Sequence, residues 1–368
     1  MSTTDIPPVS EVVDTVEPQT VEPEVLMWAF PTIEDPKDED SDQSEETDDT
    51  DGGPTPDWFL QCCVADHVEE FKKRDLVEKN FNGYESVIAH PVFLWEPGEE
   101  ITYAFLPGRY SGTPNQREVV SKAMREWTRY ANVAFRQIFA VQDSMLRIAF
   151  NPRDGNWSRL GTGALRVLKT APTANFCDVS EDAAPSAHQR GVVLHEIGHM
   201  LGLKHEHQSP SVAGILTWME KQVKSYFKKK CQWPDEMTTE QVLKPEDVSQ
   251  LSNYTHLDLK SIMMYPMPSS TNTLVSGTKG ITLPTNDVLS VYDKAFIAIH
   301  YPYLTGNPHA PDWTFERALR EIGLGDMIHE IVMQKFKEGD WRGIRDKLPE
   351  WYFQQRARMN LVVMESLA

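Results

Sequence analysis

The run His195-Glu196-Ile197-Gly198-His199-Met200-Leu201-Gly202-Leu203-Lys204-His205 constrains this 368-residue chain more than any other feature. Residues 191–203 (GVVLHEIGHMLGL) are apolar around most of a helical circumference, which predicts a helix buried at the centre of the fold. Histidines four residues apart share one helix face, within reach of a single ion. Gly202 stands where a backbone without a side chain can leave the helix at positive φ, and a chain turned back there would return His205 to the same ion. Three imidazoles leave one corner of a tetrahedral zinc for water, and Glu196, beside a ligand, is placed to act as general base on it. A bare His-Glu-x-x-His arises by chance in roughly a few per cent of chains with this histidine content; adding Gly and the third His lowers that to about one in ten thousand. The blander reading, two core histidines and a hydrogen-bonded glutamate, also leaves a charge inside an apolar helix with nothing to pair it.

Around this helix the chain reads as an α+β protein. Residues 95–106 (WEPGEEITYAFL) alternate like a strand, and residues 116–138 carry Val119, Val120, Ala123, Met124, Trp127, Tyr130, Val133 and Phe135 at largely helical spacing. Residues 144–150 (SMLRIAF) read as a central strand, and 154–165 (DGNWSRLGTGAL) as a loop followed by a short edge strand. A Trp- and Lys-rich helix is expected near 216–230 and another over 290–300. Residues 1–57 hold 18 acidic residues against one lysine, and 34–57 have almost nothing apolar, so this segment is expected to be disordered. A short helical lead-in follows at 58–84, then a body at 85–310 and a helical extension at 311–368, read as ordinary packing ahead of a partner-binding surface.

The net charge of -19 is therefore an N-terminal property, and residues 58–368 are nearly balanced. That disfavours a nucleic-acid binder, which needs clustered basic surface. The local excess Lys228-Lys229-Lys230 reads as a solvated helix face. No apolar run spans a bilayer. No secretory signal is visible at the N-terminus, which points to an intracellular enzyme, unconventional export or an incomplete start. Four cysteines, two of them the adjacent Cys62 and Cys63, do not suggest a disulfide scaffold.

The motif His195 to Glu206 (HEIGHMLGLKHE) resembles the zinc signature of the metzincin metallopeptidases, and the Glu after the third His points to their astacin-like branch. Metzincins also carry a methionine turn beneath the metal, which Ser261-Ile262-Met263-Met264-Tyr265 matches. The resemblance implies a twisted, mostly parallel sheet, a central zinc-binding helix and a closing helix, with WEPGEEITYAF, MLRIAF, NWSRLGTGAL and LSVYDKAFIAIHYP in the family's order. It implies His195, His199 and His205 as ligands of one zinc, Met263 as support beneath them, and Glu196 and Tyr265 as the catalytic pair of an endopeptidase acting on proteins or peptides. The chain departs from the family in lacking the cysteine pairs, in reading His207-Gln208-Ser209-Pro210 after the motif, and in placing Tyr84 of Phe81-Asn82-Gly83-Tyr84 where a latency segment would carry a zinc-blocking Asp. The competing expectation is a zinc-stabilised binding protein without catalysis, working through its C-terminal helices; the oligomeric state stays open.

Overall fold

The computed structural model describes residues 93–245 and 257–348, except 276, 278, 304 and 325. The expectations for residues 1–57, 58–84, the Tyr84 segment, Cys62 and Cys63, and the part of the helical extension from 349 to 368 lie outside them.

A five-stranded sheet organises the body, in the order β2-β1-β3-β5-β4. Strand β1 (Glu100–Phe105) begins after the Pro97-Gly98 turn and pairs in parallel with β2 (Ala134–Gln137) and β3 (Leu146–Ala149). All four residues of β3 are buried, as befits a central strand. It pairs in parallel with β5 (Ala174–Asn175), and β4 (Trp157–Ser158) closes the edge in the antiparallel sense. The edge strand is thus two residues long, and the 154–165 segment continues as a 3-10 helix over Gly161–Arg166.

Helix α1 (Pro114–Thr128) starts at a capping box between Thr113 and Gln116 and buries Val119, Val120, Ala123, Met124 and Trp127 against the sheet. It does not run to Ile138 as its apolar spacing predicts. Val133 and Phe135, which fit that helical spacing, lie two apart and face the core from the turn into β2 and from β2 itself. The backbone N–H of Asn132 donates to Tyr301 O and its carbonyl accepts from Gly98, which commits the segment to the sheet.

Helix α2 (Ala187–Met200), capped by Ser186 and Gln189, is buried from Gly191 onward. Beyond it, β6 (Leu216–Trp218) pairs with β7 (Asn272–Leu274), so the expected 216–230 helix begins only as α3 (Glu220–Cys231), with Lys228, Lys229 and Lys230 exposed. A short α4 (Asp235–Thr238) runs into a wide turn at Thr239–Leu243. Helix α5 (Val291–His300), capped by Ser290, carries on one side the extension: α6 (Phe315–Glu321), α7 (Asp326–Glu338) and a helix at residues 341–348, called α8. Ala295, Ala298 and Ile299 of α5 share an apolar cluster with Phe315, Leu319, Val332, Ile344 and Leu348. No helix among the described residues is long and apolar enough to cross a membrane.

Candidate metal and active site

Helix α2 presents His195 and His199 one turn apart, and the chain then reverses. Gly202 has φ +92°, and a β-carbon there would meet Leu94 Cδ2 at 2.6 Å, so both conformation and space call for glycine. The reversal is tied by Gly202 N–H to His199 O (2.8 Å) and Leu203 N–H to Gly198 O (2.9 Å), and it delivers His205 to the other two histidines. Their ligand atoms all lie within 4.8 Å of one another, and all three residues are buried.

The hydrogen bonds assign each tautomer. His195 Nδ1 donates to Ile262 O (2.8 Å), and His199 Nδ1 donates to Leu203 O (2.6 Å). His205 Nδ1 meets Gln208 Oε1 (3.1 Å), and the Gln208 amide is oriented by its Nε2, which donates to Glu240 O and Lys244 O. With every Nδ1 carrying the proton, all three Nε2 atoms are bare lone pairs. His195 Nε2 and His199 Nε2 face each other at 3.0 Å, where neither can donate, and His205 Nε2 has no hydrogen-bond partner. Buried acceptors set against one another are reconciled by a shared cation, so the donor set fits zinc.

The electrostatics agree. Burial holds His195 down to about 4; it holds His199 and His205 well below the usual imidazole range, neighbouring imidazoles adding to the effect. All three are neutral, the form that ligates metal. Glu196 is fully buried with neither carboxylate oxygen hydrogen-bonded, and burial, then the charge of Asp178, pushes its carboxyl well above the usual range.

The Ser261–Tyr265 turn lies beneath the cluster. Asp293, in the first turn of α5, accepts from Ser261 Oγ (2.8 Å) and from Ile262 N–H (2.9 Å), and Ser261 Oγ accepts from Met263 N–H (3.0 Å). Met263 O accepts from Glu206 N–H (3.0 Å), while Glu206 Oε1 accepts from Asp258 N–H (2.9 Å), so the residue after the third histidine ties the motif to the approach to this turn. The Tyr265 ring packs on His195 and His205, with centroids 5.6 and 4.4 Å away. The structure thus brings together the three histidines and the Tyr265 ring, and Glu196 follows His195 directly on the same buried helix.

Two neighbours escape sequence reasoning. Gln208 orients His205, as above. His207 is buried, stacks on His205 (4.8 Å) and Tyr265 (4.4 Å), and donates from Nε2 to Gln241 O (2.9 Å). No local pattern announces either residue, because both take their partners from the turn at Thr239–Leu243 and the residue after it.

The chain matches the family model for Astacin, a family of peptidases, over residues 87–301. It is 29% identical over 128 residues to Metalloendoproteinase 1 of Glycine max, covering 30% of this chain and 41% of that protein. It is 25% identical over 195 residues to zinc metalloproteinase nas-29 of Caenorhabditis elegans, covering 52% and 33%. The chain thus spans less than half the length of these curated relatives. Among solved structures, myroilysin is 31% identical at a TM-score of 0.51, covering 58% of this chain and 97% of that one.

Proposed function

Since the chain belongs to the Astacin family of peptidases, we propose that it is an endopeptidase that hydrolyses internal bonds of proteins or peptides. His195, His199 and His205 hold one zinc ion, and Glu196 is the general base. The observation that carries the reading is the convergence of three bare Nε2 atoms, with a buried carboxyl that has no hydrogen-bond partner on the residue next to His195.

When bound, the ion supplies a Lewis acid that lowers the pKa of water from about 16 to near 7. Glu196 takes the proton of the attacking water and passes it to the leaving amine. Tyr265 offers its hydroxyl to the substrate carbonyl oxygen as that atom gains charge. Ile262 O, Leu203 O and Gln208 keep the three imidazoles in the ligating tautomer throughout. Strand β4, at the sheet edge, supplies backbone groups to which an extended substrate can add as a further strand.

The test is metal analysis and cleavage of a denatured protein by the full chain and its Glu196→Ala variant. About one zinc per chain in both, with turnover lowered by about 10²–10⁴-fold in the variant, is the expected result. Full activity of the variant overturns the assignment of Glu196. Zinc binding without turnover of any denatured protein or peptide library by the unaltered chain favours a binding protein instead.

A further inference from the structure

We propose that Arg345, in the C-terminal extension beyond the residues matched by the family, is a positioning residue for the metal site: it clamps the two side chains that cap the carboxyl end of α2. The proposal rests on the reading that His195, His199 and His205 hold the ion.

A helix leaves its last carbonyls without intrahelical partners. At the end of α2, Met200 O accepts the indole N–H of Trp95 (2.7 Å), and Leu201 O accepts the hydroxyl of Tyr301 (2.6 Å). The same Tyr301 oxygen accepts the backbone N–H of Trp95 (3.3 Å), joining the two caps. Immediately after these carbonyls comes Gly202, where the chain turns to bring His205 to the metal. The caps therefore set the height and angle from which the third ligand arrives.

Arg345 secures both. Its Nη2 donates to Trp95 O (2.9 Å) and to His300 O (2.8 Å), and its guanidinium lies over the Tyr301 ring, 5.5 Å from the centroid. It holds the backbone on either side of the pair and one face of Tyr301. The arginine is 2% exposed. Burying a guanidinium is costly unless its surroundings compensate it; here carbonyl dipoles, including that of the last residue of α5, and an aromatic face do so in part, while Nε finds no hydrogen-bond partner. A contact that merely attached the extension would be served by apolar side chains, and Ile344 and Leu348 on the same helix already serve it in the cluster shared with α5.

The consequence is that residues 311–348 are not a detachable appendage. A fragment ending near residue 310 lacks the clamp on the zinc helix, although it contains every metal ligand and the whole family match.

The test uses the full chain loaded with Co²⁺, whose visible absorption reports ligand geometry, and compares Arg345→Met with Ile344→Ala. Both variants lose packing of the 341–348 helix, but only the first loses the clamp. At equal folded fraction, Arg345→Met is expected to shift the visible bands and to release Co²⁺ to a chelator about tenfold faster. Ile344→Ala is expected to retain the bands and rate of the unaltered chain. An Arg345→Met protein identical to the unaltered chain, or an Ile344→Ala protein that changes as much, overturns the proposal. If Arg345→Met does not fold, Arg345→Lys decides, since it keeps the charge and the stem but loses the paired donation to Trp95 O and His300 O: altered bands and faster release support the clamp, and unchanged ones overturn it. An unaltered chain that takes up no Co²⁺ overturns the metal assignment itself, an outcome distinct from a loaded chain indifferent to Arg345.

Discussion

The Met263 sulfur lies so close beneath Gly198 that a β-carbon added to Gly198 would come within 2.6 Å of it, with Trp127 Cζ2 at 3.3 Å. The glycine between the two helical histidines is thus the floor of the site, resting on the methionine turn. An alanine there would gain about 1 kcal/mol of helix propensity, but overpacking a filled core costs about 1–3 kcal/mol. Gly198→Ala is expected to be destabilising, measured by urea unfolding. Met263→Ala leaves a cavity and costs about 2–5 kcal/mol. Because that cavity accepts the new methyl, the double variant should be more stable than the sum of the two by about 1 kcal/mol or more. Additive costs would show that the sulfur and the glycine do not confine each other.

Asp293 reaches from α5 to hold the methionine turn, its Oδ2 accepting from both Ile262 N–H (2.9 Å) and Ser290 N–H (2.8 Å). Burial pushes its carboxyl up to about 6, the charge of Asp258 adding to this, so it is ionised in neutral buffer. In Asp293→Asn, one side of the amide presents N–H groups where the turn also presents donors. The expected cost is about 1–3 kcal/mol at a pH of about 7.5. Ile262 O also orients His195, so the variant should lose its zinc to a chelator faster than the unaltered chain. Unaltered stability and metal release would detach α5 from the site.

How much of this is legible in the sequence follows from the distances involved. The three histidines and Glu196 share one helix and one turn, where ligand chemistry dictates the spacing and a single short window contains it. Ser261 to Tyr265 is recognisable through its likeness to a known turn. Where local pattern is ambiguous it misleads: Val133 and Phe135 fit a helical spacing, and only partners at Gly98 and Tyr301 commit that stretch to β2. Leu216 to Trp218 is a strand because β7 lies beside it. The supporting residues are hidden for the same reason. Asp293 acts on a residue 32 positions away, Gln208 takes its orientation from carbonyls 32 and 36 away, and Arg345 bonds to a carbonyl 250 away.

Tyr265 is placed by its ring, packed on two of the metal-site histidines and on His207, and the proposed chemistry is at its hydroxyl. Tyr265→Phe keeps the ring and removes the donor. Removal of one donor to a developing oxyanion typically lowers kcat by about 10²–10³-fold. Zinc content should remain that of the unaltered chain, because no ligand is lost. The pair of measurements is steady-state hydrolysis of a peptide and metal analysis of the same sample. An unchanged kcat with zinc in place removes Tyr265 from the mechanism.

His300 adds a pH dependence that can be separated from that of the metal-site histidines. It is buried at the end of α5, and neither ring nitrogen finds a hydrogen-bond partner. Burial, with the charge of Arg345 adding to it, pushes its imidazole down to about 3. Unfolded, the same side chain titrates near about 6.5. A base whose folded pKa is depressed contributes its full share of stability above the unfolded value. That share is lost as pH falls from about 6.5 toward the folded pKa, at up to about 1.4 kcal/mol per unit, because the unfolded chain takes up the proton first. His300→Leu removes this one titration and leaves the metal-site histidines as they were, so their contribution cancels in the comparison. The difference in unfolding free energy between variant and unaltered chain should move in favour of the leucine by about 2 kcal/mol between a pH of about 7 and one of about 4.5. A difference that stays constant over that range would mean that His300 is protonated at the same pH folded and unfolded, and that its burial beside Arg345 imposes nothing on its charge.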